Sequence, residues 1–216
     1  MDKKVFIVDD HPVVAQGIKR FVEQEEGFTV IGLAEGKEDA LVAVANNMPD
    51  AITIDLSLNG ESGFELISEL RKTYPKLAIL VLSMYDEEEY AERTLQAGAN
   101  GYVMKQERPE IVIDALKTIM EGKRYVSDNV KELFVQRMSD GYEPGKNSDM
   151  DKLTQQELRV YHLYGRGRST TEIGDTMELS VKTVETYYSR IKTKLGLKSN
   201  RELLQHAIQW VSLGEE

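Results

Sequence analysis

Asp55 ends the apolar run Ala51-Ile-Thr-Ile, and Asp9 and Asp10 end the run Val5-Phe-Ile-Val. Short runs of apolar, β-branched residues read as strands buried on both faces. In an open parallel sheet, ligands bind at the carboxyl ends of the strands. If the two runs are neighbouring parallel strands, three carboxylates converge. They repel one another unless a cation sits among them or some are protonated. Hard oxygen ligands of this kind suit magnesium. A second kind of chemistry lies near the other end of the chain. Between Lys182 and Arg201 there are six basic residues and one acid, Glu185. Such a stretch is either a nucleic-acid contact or a solvated helix face.

The elements that must hold the acids alternate regularly. Strands are predicted at 4–8, 28–34, 51–56, 77–83 and 101–104. Between them lie helical patterns. The first opens at Pro12, where proline fits a first turn, and repeats Val13, Val14, Ile18, Phe21 and Val22. Others cover 37–47, the stretch from Phe64 to before Pro75, 86–98 and 109–122. Alternation of this kind implies an α/β domain with a parallel sheet and right-handed crossovers. A further helix is predicted at 128–138, and the polar, Gly- and Pro-containing stretch 139–149 reads as a linker. From Leu153 only helices are expected, at 154–165, 169–177, 181–195 and 199–212. The domains are therefore 1–124, a helix and linker over 125–150, and 151–216.

Charge follows the same division. The net charge of −10 splits into −11 over 1–150 and +1 over 151–216. An acidic module joined to a nucleic-acid binder fits that asymmetry. The absence of cysteine excludes disulfides and thiolate metal sites. No apolar run approaches the roughly 18 residues a membrane helix needs, and the N-terminus enters a strand without a leader pattern. A cytoplasmic protein with no membrane partner is expected.

Over its first 124 residues the chain resembles the receiver domain of two-component response regulators. The matching residues are Asp9-Asp10, Asp55, Ser83 at the end of the fourth strand, and Lys105 in Gly98-Ala-Asn-Gly-Tyr-Val-Met-Lys. The resemblance implies a five-stranded, doubly wound, flavodoxin-like parallel sheet. It makes Asp55 the phosphoacceptor, and it makes Asp10, Asp55 and the backbone carbonyl of Ser57 ligands of Mg2+, with Asp9 acting through water. Lys105 would contact the phosphoryl oxygens, Ser83 would move toward them, and Tyr102 holds the family's aromatic switch position. Tyr102 is then expected to turn inward into space that Ser83 vacates. His11 has no second histidine beside it and reads as structural. The loop Leu56-Ser-Leu-Asn-Gly departs from the family, which usually has Pro at the position of Asn59.

The last 60 or so residues resemble the LuxR-type helix-turn-helix domain, a small all-α unit. Leu153-Thr, Glu157, Ile173, Ser180, Thr183-Val184, Ile191, Lys194-Leu195-Gly196-Leu197 and Arg201 fall where that family has them. Thr154 and Glu157 form a capping-box pattern on their own spacing. Receiver plus LuxR-type domain is the NarL/FixJ arrangement, and the resemblance implies a transcription factor and not an enzyme. Its partners would be a sensor histidine kinase as phosphodonor, double-stranded DNA, RNA polymerase and a second copy of the chain on phosphorylation. Lys182, Thr183, Glu185, Thr186, Ser189 and Arg190 are expected to face DNA, with Lys192 and Lys194 on phosphates and Tyr187 either on a phosphate or packed. An alternative keeps the DNA-binding factor but makes an atypical receiver independent of phosphorylation. A haloacid-dehalogenase phosphatase would need an acid where Ser57 stands. A flavin module would need a phosphate-binding loop where Asp9-Asp10-His-Pro stands.

Overall fold

The computed structural model describes residues 2–58, 61–139 and 152–215. The chain forms two compact units, divided between Asp140 and Gly141. Each is described by itself.

In the first unit, β1 (Lys3–Val8), β2 (Phe28–Ala34), β3 (Ala51–Ile54), β6 (Ala78–Ser83) and β7 (Gly101–Met104) form one sheet in the order β2-β1-β3-β6-β7. Every neighbouring pair is parallel. The five predicted strands are therefore the five observed ones. A two-residue antiparallel pair, β4 (Ser57–Leu58) with β5 (Glu61–Ser62), follows β3. Asn59-Gly60, a residue pair that favours a turn, lies outside the described residues.

The helices are α1 (Pro12–Gln24), α2 (Lys37–Asn46), α3 (Gly63–Thr73), α4 (Glu87–Ala97) and α5 (Pro109–Met120). Their ends follow local rules. Pro12 and Pro109 occupy first-turn positions. Asp86 caps α4 by accepting from the Glu88 amide at 3.0 Å, and Gly98 ends it at φ 115°, a left-handed geometry glycine adopts without strain. Val5, Ile7, Ile52, Ile54, Ile79 and Val81 are wholly buried, as a sheet covered on both faces requires. Each such side chain contributes about 1.5–3 kcal/mol on burial.

The helix expected beyond residue 124 is α6 (Asp128–Ser139), and it packs on α4. Val130 is wholly buried there, and the Ser127 hydroxyl donates to Glu87 Oε1 at 2.5 Å. Just before α6, Tyr125 lies along the outer edge of β7. Its amide donates to the Asn100 carbonyl at 3.0 Å, and its carbonyl accepts from the Tyr102 amide at 2.9 Å. The described residues after 124 thus pack with the sheet and α4; the expected linker falls almost wholly outside the described residues.

The second unit contains α7 (Gln155–Gly165), α8 (Thr170–Met177), α9 (Val181–Leu195) and α10 (Asn200–Glu215), close to the predicted bounds. Leu158, Tyr161, Ile173, Val184, Tyr188, Ile191, Leu203 and Ala207 form its buried interior. Both α7 and α8 start with a complete capping box, Thr154 with Glu157 and Ser169 with Glu172. No helix among the described residues is long and apolar enough to cross a membrane.

Candidate functional site

β1 and β3 are adjacent, and strand order reverses at β1, with β2 on its other side. That is where a crevice opens at the carboxyl ends of the strands. The parallel ladder continues one residue past each strand: the Asp9 amide donates to Ala34 at 3.0 Å and the Asp55 amide to Val8 at 2.9 Å. Backbone bonding therefore fixes both carboxylates at the crevice floor. Asp9 and Asp55 are buried, at 2% and 4% exposure, and Asp10 stands at the rim.

Lys105, carried just beyond β7, reaches back between the two buried acids. Its ammonium lies 2.7 Å from Asp9 Oδ2 and 2.7 Å from Asp55 Oδ2. The Lys105 amide donates to the Ser83 carbonyl at 2.8 Å, which sets the root of the side chain. Burial pushes the Asp55 carboxyl above its ordinary range, against the pull of Lys105, and Asp9 adds to the rise. Burial works to lower Lys105, but Asp55 and Asp9 overturn that and hold it above the usual lysine value. The ammonium stays charged as the acids' counter-ion.

Asp9, Asp10, Asp55 and His11 each offer a ligand atom within 4.8 Å of the others. Three carboxylates against one ammonium leave a charge deficit of two, which a divalent cation matches. The oxygen-rich set fits a hard ion. His11, read from the sequence as structural, lies within the cluster. Its amide donates to Asp9 Oδ1 at 3.0 Å and its Nδ1 lies 2.7 Å from Asp10 Oδ1. It steers the two acids through a turn that only the folded loop creates.

Ser57 donates its backbone N–H to the Asp55 carboxylate. Gly63, at the start of α3, is required for close approach: a Cβ there would meet the Asp55 carbonyl oxygen at 2.5 Å and Leu56 Cα at 2.8 Å. Any side chain would lift α3 off the end of β3 and disturb Asp55. Ser83 is buried, and its Oγ accepts from the Tyr85 amide at 3.3 Å.

Tyr102 corrects an expectation. It is already inward, 1% exposed, with Ser83 still held by Tyr85. The cause is an acceptor that the sequence does not reveal: the Tyr102 hydroxyl donates to the Tyr85 carbonyl at 2.9 Å. Burial pushes the Tyr102 phenol well up, so it remains a proton donor.

In the second unit, α9 has the form of a recognition helix. Val184, Tyr188 and Ile191 are buried, while Lys182, Glu185, Thr186, Ser189 and Arg190 are exposed. Thr183 is half-buried, and its hydroxyl bonds Ser180 Oγ at 2.7 Å within the N-cap. Lys192 is half-buried, and the Arg190 guanidinium lies 6.0 Å from the Tyr187 ring centre.

Lys194, expected on a phosphate, has a partner within the chain. Its ammonium donates to Glu157 Oε2 at 2.6 Å, and the Glu157 side chain is 3% exposed. A buried carboxylate 37 positions away captures the charge, because the crossing of α7 and α9 brings them together. Burial works to raise the Glu157 pKa, but Lys194 and the Thr154 cap outweigh it and hold the group below its ordinary range. Its contribution to stability is therefore present above about pH 4.3, the unfolded value, and is lost as pH falls through the lower folded value. Glu157→Ala is expected to destabilise this unit by about 2 kcal/mol, since Lys194 is partly hydrated and only the cap and half of a pair are lost. Urea unfolding at pH 7 checks this, and the gap between variant and wild type should shrink at pH 3.

Comparison with known proteins agrees with both halves. The model of the response regulator receiver domain matches residues 5–117, and that of the luxR family of bacterial regulatory proteins matches residues 151–207. Oxygen regulatory protein NreC of Staphylococcus epidermidis is 35% identical over 213 residues, covering 95% of this chain and 97% of that protein. NreC of Staphylococcus carnosus is 33% identical over 210 residues, with the same coverage. The solved structure of the RcsB response regulator from Salmonella enterica serovar Typhimurium, bound to promoter rprA in the presence of phosphomimetic BeF3-, is 26% identical. It superposes with a TM-score of 0.59 over 96% of this chain and 98% of that one. A two-component response regulator of the LuxR family from Aurantimonas superposes with a TM-score of 0.60 and 28% identity, covering 64% of this chain and 99% of that one.

Proposed function

The chain belongs to the response regulators that join a receiver domain to a LuxR-type domain, and from that premise we propose that phosphorylation of Asp55 controls its binding to DNA and thereby transcription. The observation that carries the reading is the buried pair Asp9 and Asp55 bridged by Lys105, with Asp10 at the rim. A carboxylate held at a crevice floor beside a fixed ammonium has the parts a phosphoryl acceptor needs.

The donor is a phosphohistidine of a sensor histidine kinase. Asp55 Oδ attacks phosphorus, the P–N bond breaks, and the imidazole nitrogen leaves with the bonding pair. Asp10, Asp55 and the Ser57 carbonyl would hold Mg2+, with Asp9 acting through water, and the ion would supply charge neutralisation for the phosphoryl oxygens. Lys105 leaves its bridging position to pair with a phosphoryl oxygen, and Ser83 donates its hydroxyl to another. The acyl phosphate adds a charge of about −1.5 to −2 at the end of β3, which draws both groups toward it.

The output is α9 in the major groove. Lys182, Glu185, Thr186, Ser189 and Arg190 face the bases and backbone, Thr183 sits at the cap, and Lys192 contacts phosphate. Two copies on half-sites about one helical turn apart gain affinity by effective concentration. Phosphorylation therefore acts by promoting a homodimer, which presents the complex to RNA polymerase. Dimeric RcsB on DNA is a solved structure of a relative and supports this arrangement.

Light scattering and gel shifts with beryllofluoride and magnesium test the proposal. The expected result is a monomer that becomes a dimer and shifts DNA at lower protein concentration. Unchanged mass at micromolar protein, with unchanged DNA affinity, would reject phosphorylation-driven dimerisation in favour of a constitutive state.

A further inference from the structure

Tyr85 lies outside the acid cluster, yet it touches three residues that serve it. Its hydroxyl shares a 2.8 Å hydrogen bond with Ser57 Oγ, its amide donates to Ser83 Oγ at 3.3 Å, and its carbonyl accepts from the Tyr102 hydroxyl at 2.9 Å. Its ring stacks on the buried Tyr90 of α4, with centroids 4.9 Å apart and planes at 21°. One half-buried side chain thus ties the loop after β3 to the loop after β6 and to α4.

We propose that Tyr85 is a positioning residue that latches the receiver in its resting arrangement. The inference rests on the reading of Asp55 as the phosphoacceptor. Of the three groups that Tyr85 holds, two have work elsewhere once Asp55 is modified. Ser83 Oγ must swing from the Tyr85 amide toward the phosphoryl oxygens. Ser57 would have to turn its carbonyl toward a cation bound among the acids. The Tyr85–Ser57 bond restrains the second movement directly. It restrains the first through the backbone, because a ring fixed at its hydroxyl and stacked on Tyr90 keeps the Tyr85 amide where Ser83 meets it. A bond made in only one of two states shifts the balance toward that state by its own differential strength. A neutral hydrogen bond has a net effect of about 3–10-fold on an equilibrium.

The sequence separation of 28 between Ser57 and Tyr85 makes this a bond between loops and not a local turn. The neighbouring ties make it directional. Tyr102 is anchored to the Tyr85 carbonyl, so release of Tyr85 also frees the buried phenol and the start of α4. Movement of Ser57, next to the acid cluster, therefore reaches α4 through a single residue.

The test is a titration of the full-length chain with beryllium chloride and sodium fluoride in saturating magnesium, counting the bound fluoroberyllate by 19F NMR. Tyr85→Phe keeps the ring stack and loses the hydroxyl. Ser57→Ala keeps the backbone carbonyl and N–H. Each is expected to bind the fluoroberyllate about 3–10-fold more tightly than wild type. The double variant should bind no more tightly than either single one, because all three lose the same bond. Wild-type affinity in both single variants, weaker binding, or a double variant equal to the product of the two would overturn the latch. Asp55→Asn is the control for the premise. If wild type binds no more fluoroberyllate than this control, the assignment of Asp55 falls, and the latch with it. If wild type binds and Tyr85→Phe matches it, the latch alone falls.

Discussion

The Asp55→Asn protein gains no phosphoryl mass from acetyl phosphate in the presence of magnesium, while wild type gains one group. This is the largest effect expected of any single substitution, because the amide is not a nucleophile and Asp9 cannot replace it. Asp9 also lies at the crevice floor, but its carboxylate faces the amide of His11 and the ammonium of Lys105. The variant should fold. Lys105 keeps its 2.7 Å contact with Asp9, so the buried ammonium is not left alone. Removing one of two buried carboxylates relieves their repulsion, which is among the forces that raise Asp55. A thermal midpoint equal to or above that of wild type is therefore expected together with zero incorporation. Intact-mass measurement reads both proteins side by side, and a full gain in the variant would assign the chemistry to another residue.

The second large effect concerns DNA. Replacing Lys182 and Arg190 together by Ala should weaken binding to a cognate site by about 10–100-fold per protomer, at the level of one or two lost charged contacts. Both side chains are exposed on α9. Among the described residues Arg190 shows a distant ring contact with Tyr187, so the loss is expected in binding and not in folding. If both contacts are to phosphates, the slope of log affinity against log salt falls by about two per protomer. A loss of discrimination between bases with an unchanged slope would instead place Arg190 on a base edge. Fluorescence anisotropy at several salt concentrations separates the two. Unchanged affinity in the double variant would remove α9 from the groove.

The carboxylate site was legible because its residues end hydrophobic runs. Val5–Val8 and Ala51–Ile54 must be strands, strands pair in parallel when helices separate them, and the acids that follow must then converge. The helix-turn-helix was legible for a similar reason: the capping box at Thr154 and apolar spacing through Val184 and Ile191 are local properties. What escaped was set by side chains reaching across the fold. Lys194 belongs to Glu157 because two helices cross, and spacing along the chain says nothing of that. Tyr102 is inward because a loop carbonyl two residues beyond Ser83 happens to face it. Gly63 carries a steric demand that only the approach of α3 to Asp55 creates. Local periodicity predicts elements; it does not predict which polar atoms those elements bring within 3 Å.

The strap formed by Tyr125 and α6 bears on where this protein can be cut. A fragment ending at residue 124 would strip the outermost strand of its last ladder partner, leaving the Tyr102 amide open at a bare sheet edge. It would also uncover the face of α4 against which Val130 is buried. Exposed strand edges invite pairing between molecules. The severed piece would then self-associate for reasons unrelated to signalling, and its oligomeric state would misreport that of the whole chain. The first compact unit runs through α6, and within it Tyr125 keeps that edge covered by the chain's own sequence.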